Sequence, residues 1–466
     1  MKSKFILPET LVLLFIIICV MAALTWVIPG GQYERIDTSG RTTVVPGSFQ
    51  YGESQPQNVQ TVFLAPVRGF IDAAQIIVFV VFMGGVFGII QVTGAFRSLI
   101  HFIVERHEYS RFLQRFSIPV LMIIFSIAGS TFGMSEETIP FVLIFVPLAL
   151  SLGYDSIVGT AIPYVGAHAG FAAAFLNPFT LGVAQGIAEL PPSSGFGYRF
   201  FCWIIVTSVA IAFVMRYAAR IKAEPELSPT YHSDLKRRKS VSVKTDEIEK
   251  FTIRHKIVLF VFALSIGMLV VGVLKWGWYI NEIAALFLAC GIVCGIIGKV
   301  SPNTCAQEFV SGAKDLILTA FVIAFARGIL IIAQDGRIID TILYYLSSGI
   351  SRVPGVISVQ LMLIVQSFLN FFVPSGSGQA ALTIPILAPL SDLIGITRQT
   401  TVLAFQFGDG FSNMIIPTSG VLMGALGFAK IDWRIWARWM IKLQIILLIT
   451  GIILLTLPVL FHWGPF

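Results

Sequence analysis

The chain has 466 residues, of which 56% are hydrophobic and only 12% charged; 39 phenylalanines stand against 32 lysines and arginines, and the mean hydropathy is +0.84. Soluble domains carry about 25% charged residues, so this chain cannot cover water-facing domains and reads as a polytopic membrane protein. The net charge of +7 does not point to nucleic acid, because the basic residues sit between apolar segments rather than in one patch.

A spanning helix needs about 20 apolar residues. Nine stretches meet that need: 11–28, 75–94, 157–175, 200–221, 256–274, 279–298, 315–334, 400–425 and 439–461. The first, Leu11 to Ile28, runs into Pro29-Gly30-Gly31 with no small-residue cleavage site, and reads as a retained helix. Segment 30–74 balances Arg35, Arg41 and Arg68 against Glu34, Asp37, Glu53 and Asp72, as an external segment does. Arg97, Arg106, Arg111 and Arg115 outnumber Glu105 and Glu108, and segment 222–256 carries nine basic residues against six acidic. With Lys430, Arg434 and Arg438, these read as cytoplasmic, which puts the N-terminus inside. Segment 222–256 is a solvated cytoplasmic linker, or its Lys236 to Lys239 run binds anionic lipid. The five cysteines (Cys19, Cys202, Cys290, Cys294, Cys305) read as apolar fillers. Trp276, Trp278, Trp433, Trp436 and Trp439 fit interfacial belts, and Glu189 and Arg199 mark an external loop around Pro191-Pro192.

Two apolar stretches are broken. Residues 117–152 carry Gly129, Gly133 and a Ser135-Glu136-Glu137-Thr138 centre; residues 356–394 carry Pro374-Ser375-Gly376-Ser377-Gly378-Gln379. Short arms around a Gly/Ser tip suit re-entrant hairpins, which membranes tolerate only where protein or a wet cavity satisfies the backbone. Shifted by 242, Ser135 falls on Ser377, Pro147 on Pro389 and Gly153 on Gly395. Each half then runs spanning helix, interfacial stretch, broken hairpin, and a helix with a polar-Pro break. By the loop charges, the first hairpin enters from the cytoplasm and the second from outside. The expected fold is therefore an all-α polytopic membrane protein built from inverted repeats, with about nine spanning helices plus two opposed re-entrant hairpins. That is the plan of many secondary transporters, with the substrate site at the midplane where the broken elements meet.

In that plan the tips 130–138 and 374–380 and the helix breaks 166–180 and 406–419 converge. The candidate substrate-binding residues are Ser135, Glu136, Glu137, Thr138, Asn177, Ser375, Ser377, Gln379, Asp409, Asn413 and Thr418. Half-helix N-termini offer N–H groups to a carboxylate, while hydroxyls, amides and free carbonyls form a hard-oxygen shell for a cation. Glu136, Glu137 and Asp409 have no Lys or Arg in their own segments. They either cap half-helices or bind a coupling cation, a substrate ammonium or a proton. Glu137, Asp409 and His168 are the candidates for the coupling ion or proton, His168 being a relay or a packing histidine. Sodium, if it is the coupling ion, is expected near Ser135, Asn177, Ser377 and Asp409. Arg327 meets a substrate carboxylate, pairs with an acid or snorkels. No HExxH, GxSxG or Walker A motif is present, so an enzyme is not expected, and neither is a cofactor beyond a coupling Na+ or H+. An ion channel, the third class, would show a pore filter in place of alternating broken repeats.

Several blocks are recognisable: IPGGQYER (Ile28 to Arg35), FGMSEETIPF (Phe132 to Phe141), NPFTLGVAQGIAELP (Asn177 to Pro191), FFVPSGSGQAALTIPILAPLSDLIG (Phe371 to Gly395) and VLAFQFGDGFSNMIIPTSG (Val402 to Gly420). Together they resemble the YfcC family, in the C4-dicarboxylate anaerobic carrier group of the ion transporter superfamily, over essentially the whole chain. The resemblance implies a bacterial inner-membrane secondary transporter, a homodimer in which a scaffold supports a moving, elevator-type transport domain. It divides the chain into first-half scaffold helices with an external loop (1–116), first hairpin and broken helix (117–199), a scaffold helix (200–221), the cytoplasmic linker (222–255), second-half scaffold helices (256–355), second hairpin and broken helix (356–428) and a C-terminal helix (429–466). Dicarboxylate members of the superfamily carry Ser-Asn-Thr at the tips; here the matching places read Met134-Ser135-Glu136-Glu137-Thr138 and Ser375-Gly376-Ser377-Gly378-Gln379. Acids without local cations repel a dianion and suit an ammonium. The substrate reading is therefore small amino acids, basic ones such as arginine or ornithine included, moved by an ion-coupled symporter or exchanger. A C4-dicarboxylate or other small carboxylate is the alternative.

Overall fold

The computed structural model describes residues 9–38, 41–100, 102, 111–242, 251–350 and 352–464. Arg106, Glu105 and Glu108 of the first basic loop, and the acidic and basic residues of 243–250, lie outside the described residues.

The first half holds α1 (Thr10–Val27), α2 (Val59–Asp72), α3 (Ala74–Val92), α4 (Arg111–Phe132), α5 (Thr138–Ser151), α6 (Ser156–Ala172), α7 (Leu181–Ile187) and α8 (Phe196–Ala223). Then come α9 (Tyr231–Ser242), α10 (Ile253–Trp276), α11 (Ile280–Ile297), α12 (Pro302–Lys314), α13 (Ile317–Asp335), α14 (Ile339–Ile350), α15 (Gly355–Phe372), α16 (Gly376–Leu393), α17 (Arg398–Asn413), α18 (Gly420–Ala429) and α19 (Trp433–Leu460). Between α1 and α2 the chain forms two antiparallel ribbons, β1 (Gly31–Gln32) with β4 (Gln50–Tyr51), and β2 (Arg35–Thr38) with β3 (Arg41–Val44). The β-branched run Thr42-Thr43-Val44 favours strand, a departure from a purely helical chain.

Among the described residues, eight helices are long and apolar enough to cross a membrane: α1, α3, α8, α10, α11, α13, α15 and α19. Two of the nine expected spans do not hold. Segment 157–175 ends as helix at Ala172, and segment 400–425 splits into α17 and α18. The cause is local. Pro178 and Pro417 lack the N–H a helix needs, and each disfavours helical backbone at the residue before it. In their place α15, expected as one hairpin arm, reaches 18 residues and is apolar enough to span.

The packing pairs the two halves. In the first, α6 packs on α4, α5 and α8; in the second, α17 packs on α15, α16 and α19. Across the halves α2 lies on α13, α3 on α12, and α6 on α17. Every residue of α6, and α17 from Gln399 to Ser412, is buried, so these two broken helices form the centre. With lipid outside, helix contact rests on close packing rather than on a hydrophobic drive. Gly170 shows it: a Cβ there would run into the Ser126 carbonyl, so α4 and α6 touch backbone to backbone.

The segment after α8 is not a free linker. Asp234 is 2% exposed and accepts the Ser156 N–H at 2.9 Å and the Thr230 hydroxyl at 2.7 Å. Asp155, the N-cap of α6, accepts hydroxyls from Tyr217 (2.5 Å) and Ser228 (2.7 Å). Burial pushes the Asp155 carboxyl above its usual range, against those hydrogen bonds. Arg237 donates to the Ala429 and Lys430 carbonyls at 2.6 and 3.0 Å, and Arg238 to Tyr154 O at 2.5 Å. Residues 224–238 thus tie the start of α6 to the end of α18.

Candidate functional site

The first tip follows α4. Gly133 adopts φ +77°, and Met134 to Glu137 turn the chain into α5. The buried Glu137 carboxylate folds back to accept the Ser135 N–H at 3.0 Å, and Thr138, fully buried, donates its hydroxyl to Ser135 O at 2.5 Å. Behind the tip, His168 Nδ1 donates to the Tyr164 carbonyl at 3.0 Å, which leaves Nε2 to accept the Ser135 hydroxyl at 3.5 Å. Asn177 is fully buried in the first break; its Oδ1 accepts the N–H groups of Phe179 (2.9 Å) and Thr180 (3.3 Å). A side chain at Gly133 would strike that same amide.

The second tip is built differently. Ser375 caps α16, accepting the Gly378 N–H at 3.4 Å, and it is exposed together with Ser377. Gln379 turns inward and donates to Gln366 O and Oε1 at 2.8 and 2.6 Å. Near the end of α17, before the second break, Asp409 is fully buried; Oδ1 accepts Asn413 Nδ2 at 2.9 Å, and Oδ2 has no partner among the described residues. A Cβ on Gly376 would come within 2.8 Å of that free oxygen. Asp409 therefore sits directly under the tip of α16.

Between these parts lies a cavity of about 350 Å³, at the small end of the roughly 300–1,000 Å³ typical of ligand sites. Both tips line it (Ser135, Glu136, Glu137; Pro374 to Ser377), as do both breaks (Phe171, Phe179, Thr180; Asn413, Thr418, Ser419). The opposite wall carries Asp72, Gln75, Tyr279 and Arg327. Thr138, Asn177, Gln379, His168 and Asp409 do not reach the surface of the cavity; they hold the tips and breaks in place from behind. Of the four residues expected around sodium, Ser135 and Ser377 face the cavity, while Asn177 caps backbone and Asp409 binds Asn413. Arg327 is ion-paired to Asp72, the acid-partner arrangement among its alternatives.

Three carboxylates, Asp72, Glu136 and Glu137, thus share the lining with one guanidinium that is already paired. Helices α5, α16 and α18 also begin at this cavity, and a helix N-terminus presents unsatisfied N–H groups and a partial positive charge. The site can hold a cationic group at the acids and a carboxylate at a helix start.

The profile of the C4-dicarboxylate anaerobic carrier (DcuC) family matches residues 7–460. YfcC of Escherichia coli (strain K12), provisionally named a basic amino acid antiporter, is 38% identical over 475 aligned positions, covering 93% of each chain. The chain belongs to the C4-dicarboxylate anaerobic carrier family, in its YfcC branch. An uncharacterized protein of Haemophilus influenzae is 29% identical across 98% of both chains. Among solved structures, the YdaH transporter of Alcanivorax borkumensis aligns over 98% of this chain and 100% of its own, with 17% identity and a TM-score of 0.43. MtrF of Neisseria gonorrhoeae, described with a class of antimetabolite efflux pumps, aligns over 97% of this chain and 95% of its own, also at 17% and 0.43. As a member of the YfcC branch the chain is a multi-pass membrane transport protein, and the matched span contains both tips and both breaks.

Other residues of this family member turn out differently from the sequence reading. Arg199, expected on an external loop, is fully buried on α8; Nη2 contacts Gln399 O and Oε1 at 3.4 and 3.3 Å, and Trp463 packs on the guanidinium at 5.5 Å. Glu189 does lie at the surface, paired with Arg398 at 2.7 Å. Trp436 and Trp439 are buried rather than interfacial. Trp433 and Trp436 donate to the Ile415 and Met414 carbonyls at 2.9 Å each, groups freed by the break after α17. The sequence reading missed the amides that carry the break. Asn370 Nδ2 lies 3.1 Å from Asp409 O, 2.8 Å from Ser412 Oγ and 2.9 Å from Asn413 Oδ1. Gln406 Nε2 donates to Phe171 O at 2.8 Å and Thr180 Oγ1 at 2.9 Å, bridging the two breaks. The signal was present, since an amide in an apolar helix demands a partner.

Proposed function

We propose that the chain is a secondary active transporter that carries small amino acids, basic ones such as arginine and ornithine foremost, by ion-coupled symport or exchange. The observation that carries this reading is the charge of the cavity. Its single cation is engaged by Asp72, and Glu136 and Glu137 face the same space without a basic partner among the lining residues. Carboxylates at membrane depth are costly and are functional hypotheses by default; a dianion entering here would meet like charge. The provisional name of the Escherichia coli relative agrees with a basic substrate.

In this proposal the two hairpins with their broken helices (117–199 and 356–428) are inverted repeats and form the moving domain of an elevator. Segments 1–116, 200–221 and 256–355, with helices α1–α3, α8 and α10–α14, form its scaffold, in a homodimer of the bacterial inner membrane with a cytoplasmic N-terminus. The reciprocal packing of the two halves and the basic loops support it. Glu137, Asp409 and His168 are the proposed ion or proton carriers; Ser135, Glu136, Thr138, Asn177, Ser375, Ser377, Gln379, Asn413 and Thr418 bind substrate or shape its site. A C4-dicarboxylate substrate is the second reading, favoured by Arg327 in the wall, which would receive a carboxylate if it left Asp72. Uptake of arginine, ornithine, malate and succinate into proteoliposomes, with Na+ gradients, pH gradients or preloaded amino acid, separates the two. Saturable arginine or ornithine uptake is expected. Succinate or malate uptake unaffected by excess arginine would overturn the substrate assignment.

A further inference from the structure

A second cavity, of about 880 Å³, lies apart from the first. It is enclosed where α3 ends at Val92, α10 begins at Ile253 and α11 ends at Ile297, with Glu308 of α12 closing one side. Three spanning helices that stop together fix its depth at the membrane surface, on the side that the basic loops assign to the cytoplasm. Arg97 and Arg254 line it, both exposed, and no carboxylate among the described residues pairs with either. Buried His255 shares the wall, its Nδ1 2.9 Å from Ser98 Oγ. Glu308, half-buried, is the one acid in the lining. Among the polar lining residues two aliphatic side chains stand exposed, Val92 at 43% and Ile253 at 69%.

Two guanidiniums at headgroup depth, between helices and beside exposed aliphatic side chains, match an anion that carries hydrocarbon. Guanidinium binds phosphate oxygens through paired N–H groups, and basic pockets between membrane helices on the cytoplasmic side receive anionic headgroups. We infer that this cleft is a headgroup site for an anionic phospholipid of the inner leaflet, with Arg97 and Arg254 holding the phosphodiester and Val92 and Ile253 meeting the acyl chains.

The test uses the full-length protein, delipidated and titrated with phosphatidylglycerol or phosphatidylcholine, bound lipid being counted by native mass spectrometry. Phosphatidylglycerol is expected to bind in preference to phosphatidylcholine. Arg97→Gln with Arg254→Gln should weaken that binding about 30-fold, and Arg97→Lys with Arg254→Lys should restore most of it. Removing equal charge elsewhere, by Arg216→Gln with Arg220→Gln on α8, should leave it within about twofold of the parent. The inference is overturned if the Gln pair binds like the parent, or if the α8 pair loses as much, which would mean diffuse attraction. It is also overturned if inorganic phosphate at equal concentration displaces the lipid, which would make this a soluble-phosphate site.

Discussion

The two tips line the same cavity yet divide the chemistry unequally. The first carries its charge on the tip itself, Glu136 and Glu137, over a break made of neutral Asn177 and Thr180. The second carries no charge on the tip, Ser375 and Ser377 facing the cavity, over Asp409 at the end of α17. The first tip is also stiffened from behind, by a glycine with positive φ set against Asn177 and by Glu137 bound to its own turn. The second is held from behind by buried Gln379 on Gln366, while Ser375 and Ser377 are exposed, with one long N-cap hydrogen bond at Ser375. The two tips therefore do not make a symmetric site: one offers fixed charge, the other offers N–H groups and hydroxyls.

The largest expected effect tests that division. Glu136→Gln and Glu137→Gln should each lower kcat/KM for arginine uptake about 10- to 100-fold, the worth of a charge-assisted hydrogen bond. Ser375→Ala with Ser377→Ala should lower it only severalfold. Equal losses at the two tips would erase the proposed asymmetry. Next, Gly133→Ala should destabilise the protein by about 1–2 kcal/mol in thermal melting, because its backbone is left-handed and its Cβ meets Asn177. Gly376→Ala, where φ is ordinary, should melt closer to the parent while reducing transport, since its Cβ presses on Asp409 and Thr180. Asn177→Ala removes the acceptor for two N–H groups, Phe179 and buried Thr180, and should cost about 1 kcal/mol. Smallest, Ser375→Ala should shift melting by less than about 0.5 kcal/mol, because its cap hydrogen bond is 3.4 Å long and exposed.

Much of this was legible in the chain. Composition and loop charge announced a membrane protein, and Gly133, Asn177-Pro178, Pro374-Ser375 and Pro417-Thr418 marked where helices fail, because glycine and proline act locally. What was not legible depends on partners far away in sequence. Arg199 looked like a loop charge until Gln399 and Trp463 enclosed it; Trp436 looked interfacial until the Met414 carbonyl claimed its N–H; the segment after α8 looked free until Asp155 and Asp234 anchored it. Charged and amphipathic side chains read alike at a surface or in a satisfied core, and only the fold distinguishes the two. Span counting failed at α17 and α18 for a related reason: a window of apolar residues does not register the short break at 414–419.

The most direct test of the cationic-substrate claim is equilibrium binding to the purified transporter. Arginine and succinate are titrated into the parent protein and into the double variant Glu136→Gln, Glu137→Gln. Arginine binding is expected to weaken at least about tenfold in the variant, with no competition by succinate. Succinate binding that excess arginine leaves untouched, and that is unchanged or tightened in the variant, would contradict it.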